Sequence, residues 1–418
     1  MELNSYKLGD CLSMIENGVT IKQKEGAEGY PITRIETLSN DRFNRDRLGY
    51  ANVYDIDNYT NHILDDEDLI MSHINSRPFL GRTVIYQKKD NEVIIHGMNV
   101  LRIKTNRAVL NPFYAYYYFK TPHFRKAIDN IRTDAINQSS INTNNIKDIT
   151  IHVPSISDQE SVVETLRAID KKIELNENMN TELEAMAKQL YDYWFVQFDF
   201  PDENGKPYKS SGGKMVWNEK LKREIPEGWE VSTYGDVFDV KLGGTPSTTE
   251  KGFWENGTIH WLNSSEVQSF PVNDSEKKIT KLAINNSSTE FLPKGSVLIS
   301  ITRYLRVTVL NIDACINQSV AGFAETDDYK YAYTYFSLSA EVPRLMTLRS
   351  GAQQPHINKE TVENSPFLLP PLTVLEEYYK NANPLIGLLI KKSEETKKLT
   401  HLRDSLLPML MNGQVTIE

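Results

Sequence analysis

The sequence QSSIN at residues 138–142 begins an arrangement that occurs twice in this chain. It is followed by Val-Pro at 153–154 and then by a long run without proline or glycine. At an offset of 216 residues, QPHIN at 354–358 is followed by Leu-Pro at 369–370 and by a second long helical pattern. The repeat predicts two related globular units, each followed by a long helix. A molecule with near-twofold symmetry suits a target with two halves, and duplex DNA is the commonest such target.

Length and composition are those of an ordinary multidomain soluble protein. With 418 residues, 39% hydrophobic and 25% charged, the chain should fold as about two to four domains. Cys11 and Cys315 form no metal or redox motif, and the eight histidines show no metal-ligand spacing. We therefore expect no metal site. Because a signal peptide and an apolar run of about 20 residues are both missing, we expect a cytoplasmic protein without a membrane segment.

The net charge of −9 argues at first sight against binding to nucleic acid. The charge is unevenly distributed, however, since residues 1–150 carry 19 basic and 19 acidic side chains. Arg42, Arg45 and Arg47 lie close together in that segment and leave room for a local basic surface. An acidic DNA-binding protein usually has basic partners or a narrow basic surface, so charge alone leaves the target open.

Short β-rich runs, turns and isolated helices predict an α+β fold, because strict alternation of strands and helices is missing. The connector between the two halves is rich in Pro, Gly, Ser and Lys and is expected to be ordered but irregular. We predict, in chain order, a globular domain at 1–153, a helix at 154–199, a connector at 200–227, a globular domain at 228–368 and a helix at 369–418.

Each predicted helix carries an apolar seam that is too narrow to form a domain by itself. The most economical partner for each seam is the other helix, and the chain order makes this coiled-coil pair antiparallel, with one globular domain at each end. Pro384 and Gly387 predict a kink or a late start in the second helix. The predicted seam residues are Ile169, Ile173, Leu183, Met186 and Leu190 in the first helix and Leu385, Leu389, Leu399, Leu402 and Leu406 in the second.

Three short motifs look catalytic but fit structural roles better. NPFY at 111–114 resembles the Asn-Pro-Pro-Tyr loop of adenine methyltransferases, yet no glycine-rich cofactor loop precedes it, and Asn followed by Pro favours a helix start. PDE at 201–203 lies in the connector and lacks the spacing of a metal-dependent nuclease. GGTPS at 243–247 lacks the lysine and the helix of a phosphate-binding loop and predicts a turn between strands. The sequence therefore predicts no catalytic site.

Taken together, these features resemble the specificity subunit of type I restriction–modification systems, HsdS. The resemblance covers essentially the whole chain, although the first globular domain follows the family pattern only weakly. The motifs that carry it are IDKKI at 169–173, LEAMA at 183–187, WF at 194–195, GKPY at 205–208, IPEGW at 225–229, GGTPS at 243–247, WL at 261–262 and LPPL at 369–372.

The resemblance implies two target-recognition domains, each of which reads one half of a bipartite, gapped sequence in double-stranded DNA. The helical pair would set the gap and dock two modification (methyltransferase) subunits, which would bind S-adenosylmethionine and methylate adenine. Two restriction subunits that use ATP and Mg for translocation would join them. The chain itself would be non-catalytic and would bind no cofactor. The alternatives are a catalytic DNA methyltransferase or nuclease and a coiled-coil scaffold whose globular ends bind protein.

Candidate DNA-binding residues are polar and basic side chains on loops, because Arg, Asn, Gln and Ser read base edges while basic groups and hydroxyls contact phosphates. Arg77 and Arg303 are the strongest candidates, since each follows an apolar strand that ends in a serine. The candidates are Arg34, Arg42, Arg45, Ser72, Asn75, Arg77, Asn99 and Gln138 in the first domain and Thr245, Ser247, Asn263, Ser264, Ser300, Arg303, Tyr304, Gln318, Gln353 and Gln354 in the second.

Overall fold

The chain divides into two compact units. The computed structural model describes residues 2–39, 41–136, 138–351 and 355–415. Unit one contains the residues up to 172 together with those from 399 onward, and unit two contains residues 173–398. Each unit combines strands with helices, and the predicted α+β class is confirmed.

Unit one contains short strands, three short helices and the start of a long helix. Its strands are β1 (Asn4–Lys7), β2 (Leu12–Asn17), β3 (Leu38–Ser39), β4 (Arg42–Phe43), β5 (Leu69–Ser72), β6 (Ile74–Asn75), β7 (Thr83–Ile85), β8 (Val100–Thr105), β9 (Thr133–Asp134), β10 (Ser139–Ser140) and β11 (Thr150–Val153). Its helices are α1 (Pro112–Tyr118), α2 (Pro122–Ile131), α3 (Thr143–Lys147) and the first turns of α4 (Ile156–Tyr191), which continues as a π-helical turn over Asp192–Val196.

Unit two begins within α4 and holds the remaining strands. These are β12 (Met215–Asn218), β13 (Arg223–Pro226), β14 (Glu230–Thr233), β15 (Lys241–Leu242), β16 (Ile259–Leu262), β17 (Lys277–Ile279), β18 (Glu290–Leu292), β19 (Val297–Ser300), β20 (Val307–Val309), β21 (Ala314–Ile316), β22 (Val320–Phe323) and β23 (Pro366–Leu369). Its helices are α5 (Tyr234–Val237), α6 (Lys251–Trp254), α7 (Lys281–Asn285), α8 (Tyr331–Thr347), α9 (Lys359–Glu363) and most of α10 (Leu372–Met411).

The same four-stranded antiparallel sheet lies at the centre of both units. Its order is β2-β8-β5-β7 in unit one and β15-β22-β19-β20 in unit two. The central strand β5 has four buried apolar or small residues because both of its faces are covered. Leu69 and Met71 face one core, whereas Ile70 faces another, as the two-residue period of a strand requires. In β19 the corresponding alternation separates Val297 and Ile299 from Leu298, so the internal repeat is a repeat of structure.

Both long helices cross from one unit to the other and run antiparallel. The first turns of α4 lie in unit one with the last turns of α10, and the last turns of α4 lie in unit two with the first turns of α10. The predicted late start of the second helix is wrong, since α10 begins at Leu372 and continues through Pro384 and Gly387.

The helix ends complete the core of each unit. In unit one, Leu410 and Met411 of α10 share a buried cluster with Val162 and Leu166 of α4. Beside this cluster, Asp170 accepts hydrogen bonds from Tyr117 Oη (2.6 Å) and from Arg403 Nη1 (2.8 Å). In unit two, a second buried cluster brings the end of α4 together with the start of α10 through Ala187, Tyr191, Trp194, Tyr378, Ala382 and Ile386.

In each helix, one residue predicted to lie in the seam is exposed, and the next residue along the chain is more buried. Met186 and Leu402 are 51% and 47% exposed, whereas the next residue along, Ala187, is fully buried and Arg403 is half-buried. Successive residues of a heptad seam are separated alternately by three and by four positions. After Leu183 the separation is four, which places Ala187 in the seam. The same error occurs in both helices because Met186 and Leu402 occupy equivalent positions of the repeat. The other predicted seam residues are buried or half-buried: Ile169, Ile173, Leu183, Leu190, Leu385, Leu389, Leu399 and Leu406.

Polar residues interrupt the apolar seam within unit two. Asn176 is fully buried, and both polar atoms of its amide have no hydrogen-bond partner among the described residues. Asn180 Oδ1 and Thr396 Oγ1 are likewise without a partner there. A buried amide without partners lowers stability by about 1–3 kcal/mol, although a polar seam residue can also specify which register two helices adopt.

We predict that Asn176→Leu raises the free energy of unfolding by about 1–3 kcal/mol, because it replaces an unpartnered buried amide with an apolar side chain. The measurement is urea denaturation followed by circular dichroism. The control is Asn178→Leu on the exposed side of α4, which should change stability by about 0.5 kcal/mol or less. A loss of stability in the Asn176 variant alone would contradict this interpretation of the seam.

Candidate nucleic-acid interface

In each unit, three loops meet at one edge of the central sheet, which we call the loop edge. Ser72 at the end of β5 lies opposite Val100 at the start of β8, and β2 ends beside them. Ser300 at the end of β19 likewise lies opposite Val320 at the start of β22, and β15 ends beside them. Since neighbouring antiparallel strands run in opposite directions, the loops at these ends converge. The loop edge comprises residues 18–20, 73–82 and 96–99 in unit one and 243–247, 301–306 and 317–319 in unit two.

A glycine opens the first of these loops in each unit. A Cβ atom on Gly18 would overlap the backbone of Gly97, and one on Gly243 would overlap the carbonyl group of Ile316. Only glycine therefore allows the first loop to pack against the third at this distance. The GGTPS segment at 243–247 is a packed irregular loop between β15 and α6, so the predicted turn between strands is wrong.

A threonine in the first loop contacts an exposed side chain in the third loop. In unit one, Thr20 Oγ1 lies 3.1 Å from Met98 Sδ. In unit two, Thr245 Oγ1 donates to Gln318 Oε1 over 2.7 Å. Met98 and Gln318 thus hold corresponding places, one apolar and one polar. Met98 was not a candidate from the sequence, because methionine is usually a core residue.

The second loop of each unit carries the two strongest candidates, and an arginine fixes each of them in the same way. Arg125 Nη2 donates to the Arg77 carbonyl (2.5 Å), and Arg349 Nη1 donates to the Arg303 carbonyl (2.7 Å). Both candidate side chains are exposed. Arg303 adopts a left-handed backbone conformation with φ of 56°. Strained backbone at a residue other than glycine is concentrated at functional sites.

Two of the four candidate serines, those that end β5 and β19, stabilise the loops instead of facing solvent. Ser72 and Ser300 are each 1% exposed. Ser72 Oγ accepts from Asn75 Nδ2, and Ser300 Oγ donates to the Tyr304 carbonyl (2.6 Å) and accepts from the Arg306 amide. Direct contact of these hydroxyls with DNA bases does not fit this arrangement. Their role here is to shape the loops that present Asn75 and Tyr304.

Sequence reasoning missed two further arginines at the loop edge. Arg82 and Arg306 directly precede β7 and β20, and their carbonyls accept from the Ser72 and Ser300 amides over 2.9 Å. Each guanidinium group lies over an aromatic ring of its own loop, 4.6 Å from Phe79 for Arg82 and 5.8 Å from Tyr304 for Arg306. The sequence signal was available, because an arginine precedes a β-branched run in both repeats.

Of the three remaining arginine candidates, only Arg34 borders the loop edge. It is exposed, pairs with Glu36 (3.2 Å), and follows Thr33, whose hydroxyl accepts from the Gly97 amide. Arg45 is half-buried and bonds both carboxylate oxygens of Glu92 (2.9 and 2.5 Å), which lowers the pKa of Glu92 to about 2. This ion pair joins distant segments, so Arg45 serves the fold of unit one. Arg42 is exposed on β4, outside the loop edge.

The remaining polar candidates that the structure describes lie at or beside the loop edge. Asn99 is half-buried with a φ of 75°, and Gln138 is exposed beside β10. Asn263 Oδ1 accepts from the Ser265 amide (2.7 Å), and neighbouring Ser264 is half-buried. Ser247 Oγ bonds Thr249 Oγ1. Tyr304 is 68% exposed. The candidates Gln353 and Gln354 lie outside the described residues.

The motifs with catalytic appearance have structural roles. Asn111 caps α1, because its Oδ1 accepts from the amides of Phe113 (2.9 Å) and Tyr114 (3.2 Å). Asp202 Oδ1 accepts from the Lys206 amide (2.8 Å) and closes a turn in the connector. Burial raises the pKa of both cysteine thiols, Cys11 and Cys315, to about 11, so neither is a ready nucleophile.

The described part of the chain holds neither a metal-binding cluster nor a membrane-spanning helix. No group of three or more His, Cys, Asp or Glu side chains is placed to hold a metal ion among these residues. Within the same residues, no helix has the length and apolar character needed to cross a membrane.

The chain matches a known family over most of its length. The family model described as "Type I restriction modification DNA specificity domain" matches residues 2–185 and 226–396. The putative type I restriction enzyme MjaX specificity subunit of Methanocaldococcus jannaschii is 26% identical over 99% of this chain and 93% of that protein. The HindI specificity subunit of Haemophilus influenzae is 21% identical over 87% and 90%. The crystal structure of a type I restriction–modification S subunit from M. genitalium shares the fold, with a TM-score of 0.56, 13% identity and coverage of 98% and 96%.

The third loop of unit one should make this domain sensitive to mild acid. His96 is fully buried, its Nε2 lies 2.8 Å from the Val100 carbonyl, and burial lowers its pKa to about 4. Between pH 6.5 and 4 the unfolded chain therefore binds a proton at this residue that the folded chain does not. Its contribution to stability is complete above pH 6.5 and falls by about 3 kcal/mol as the pH drops to 4.

We predict that His96→Gln weakens this loss of stability between pH 6.5 and 4, as measured by thermal denaturation at a series of pH values. The control variant, His123→Gln, replaces an exposed histidine of α2 and should follow the native profile. An unchanged pH profile in the His96 variant would show that this histidine is not the group responsible.

Proposed function

The chain belongs to the type I restriction–modification DNA specificity family, and on this basis we propose that each globular domain reads one half of a bipartite, gapped site in double-stranded DNA. Members of this family are the non-catalytic specificity subunits of their complexes, so this chain is a DNA-recognition subunit and not an enzyme. Family membership decides against both alternatives, the coiled-coil scaffold and the catalytic methyltransferase or nuclease.

The observation that carries the proposal is the duplicated loop edge. Two sheets of the same strand order end in corresponding loops, and these loops hold exposed or half-buried arginines, side-chain amides and hydroxyls in both units. Such side chains are the ones that contact base edges and phosphates. We assign residues 1–153 and 228–368 as the two target-recognition domains, 154–199 and 369–418 as helical spacers that set the gap, and 200–227 as the connector.

We further propose that the helical spacers dock two modification subunits. Met186 on α4 and Leu402 on α10 are half-exposed apolar side chains at equivalent positions of the repeat. Near Met186, a groove of about 510 Å³ runs between α4 and α8 and is lined by Glu184, Lys188 and Tyr335 among others. Equivalent exposed positions on the two helices favour two copies of one partner.

In this proposal the partners supply the chemistry in the cytoplasm. The modification subunits would bind S-adenosylmethionine and methylate adenine in the recognised site. Two restriction subunits, with ATP and Mg, would translocate and cleave DNA. The specificity chain needs no cofactor for its own task, because recognition of DNA depends on noncovalent contacts.

The direct test is selection from a pool of random duplexes by the full chain, with and without a modification subunit. Enrichment of two short sequences separated by a fixed gap is the expected result. If no sequence is enriched under either condition, the proposed function is wrong.

We predict that Arg303→Ala costs about 1–3 kcal/mol of discrimination at one half-site and leaves the other half-site unchanged. The physical reason is that an arginine on an exposed loop can bond two acceptors of one base. The measurement is competition binding with duplexes mutated in either half. The matched variant Arg77→Ala should affect the opposite half-site, whereas a uniform loss across unrelated sequences would identify a phosphate contact instead.

We predict that Met186→Glu reduces the number of bound modification subunits from two to one, because a carboxylate would be buried against an apolar partner surface. Native mass spectrometry of the reconstituted complex measures this number. Met186→Leu is the control and should retain two subunits, and Leu402→Glu should remove the other copy. Retention of both modification subunits in each glutamate variant would show that the helix faces around Met186 and Leu402 are not the docking surfaces.

A further inference from the structure

We propose that the two recognition domains differ in charge at the loop edge, so that the second domain supplies most of the phosphate contacts and the first domain contributes fewer. The inference rests on the proposed function and deepens it. The duplicated fold would lead one to expect equal contributions. Corresponding arginines are present in both domains, but their surroundings are different.

In the second domain, three arginines at or beside the loop edge have no carboxylate partner among the described residues. Arg303 and Arg306 are exposed and Arg349 is half-buried. None of the three forms an ion pair within the part of the chain that the structure describes. The Arg303 amide donates to the Pro355 carbonyl and its carbonyl accepts from Arg349, so the loop is fixed at two points. Three cationic groups are therefore held around one exposed loop.

A second basic surface adjoins the same loop edge. The turn that begins at Gly243 leads to Ser247, whose carbonyl accepts from Trp254 Nε1 (2.9 Å). A pocket of about 410 Å³ beside this turn is lined by Thr248, Trp254, Lys277 and Lys278. Lys277 Nζ lies 5.8 Å from the centre of the Trp254 ring. Both lysines are exposed, and neither forms an ion pair among the described residues.

In the first domain, the corresponding arginines lie near carboxylates. Arg77 and Arg125 lie 3.8 and 3.9 Å from Asp129, and Arg82 lies 3.5 Å from Asp41. Asp129 is half-buried and also pairs with Arg132 at 2.9 Å. Two aspartates therefore offset the charge of three arginines in the first domain. The three corresponding arginines of the second domain have no such partners among the described residues.

The difference in charge between the two domains can be measured, because binding of a cationic group to a phosphate releases counterions from the DNA. Each phosphate neutralised by an unpaired arginine changes the slope of log Kd against log salt concentration by about 0.9. An arginine that must leave a carboxylate exposes an anion, which repels the DNA and attracts cations from solution. Its contribution to affinity and to the salt dependence is therefore smaller. The second domain should dominate binding to DNA of any sequence.

The test compares matched single variants of the full chain on a random duplex of about 30 base pairs from roughly 50 to 300 mM KCl, a range over which salt strongly weakens phosphate contacts. Arg306→Ala should lower the slope by about 0.9, and Arg82→Ala by about half of this amount or less. Circular dichroism confirms that each variant is folded. Equal losses in the two variants, or a larger loss in the first domain, would overturn the inference.

A gain of affinity provides a test that misfolding cannot imitate. Asp41→Asn with Asp129→Asn frees the first-domain arginines, and it should tighten binding to the random duplex about two- to fivefold at low salt. Asp41 has a left-handed backbone (φ of 55°), which asparagine accepts readily. Unchanged or weaker binding in this variant would also overturn the inference.

The two proposals fail in different ways. Slopes are measured on random DNA and do not depend on a recognised sequence, whereas the proposed function requires selection of a gapped motif. A chain that selects such a motif but shows equal slope losses in the two domains would refute this inference alone. A chain that selects no motif would refute the proposed function.

Discussion

The structure depends on the packing of the last turns of α10 into the core of unit one. Leu407, Leu410 and Met411 are buried there among residues from the first 170 positions, and each such side chain contributes about 1.5–3 kcal/mol. Arg403 is fixed beside them by Asp170, which also accepts from Tyr117. The chain end therefore completes the domain formed by the chain start. This constraint makes α4 and α10 antiparallel and places one globular domain before each of them.

Duplication produces symmetry of backbone but not of surface. The sheet order, the glycine that opens the first loop and the arginine that fixes the second loop are the same in both domains. The exposed residues differ, as Met98 against Gln318 shows, and so do the carboxylates around the arginines. A specificity subunit needs this combination, because the helical pair requires two similar ends while two unrelated half-sites require different side chains.

Local sequence patterns and chain order were sufficient to predict the main architecture. Short β-rich runs without strict alternation predicted the α+β class, apolar periodicity predicted both long helices, and chain order predicted their antiparallel direction. Three finer features could not be predicted from these patterns: the exact seam residues, the burial of the serines and the ion pair of Arg45. Met186 and Leu402 were assigned to the seam since steps of three and four residues look alike in a short heptad pattern. Ser72 and Ser300 were expected at the surface, but groups of their own loops bond their hydroxyls: the Asn75 side chain bonds Ser72, and backbone groups bond Ser300. Arg45 is held by Glu92, a partner 47 residues away that residue type and local spacing do not reveal.

We propose that the helical pair holds the two reading domains at a fixed separation. The sharpest test is to insert one heptad into α4 after Asn180 and another into α10 after Thr396, the equivalent position of the repeat, and to repeat the duplex selection. Seven residues lengthen each helix by about 10 Å, which corresponds to roughly three base pairs. The account predicts the same two half-sites with a gap wider by about three base pairs. Selection of the original gap by the lengthened protein would contradict it.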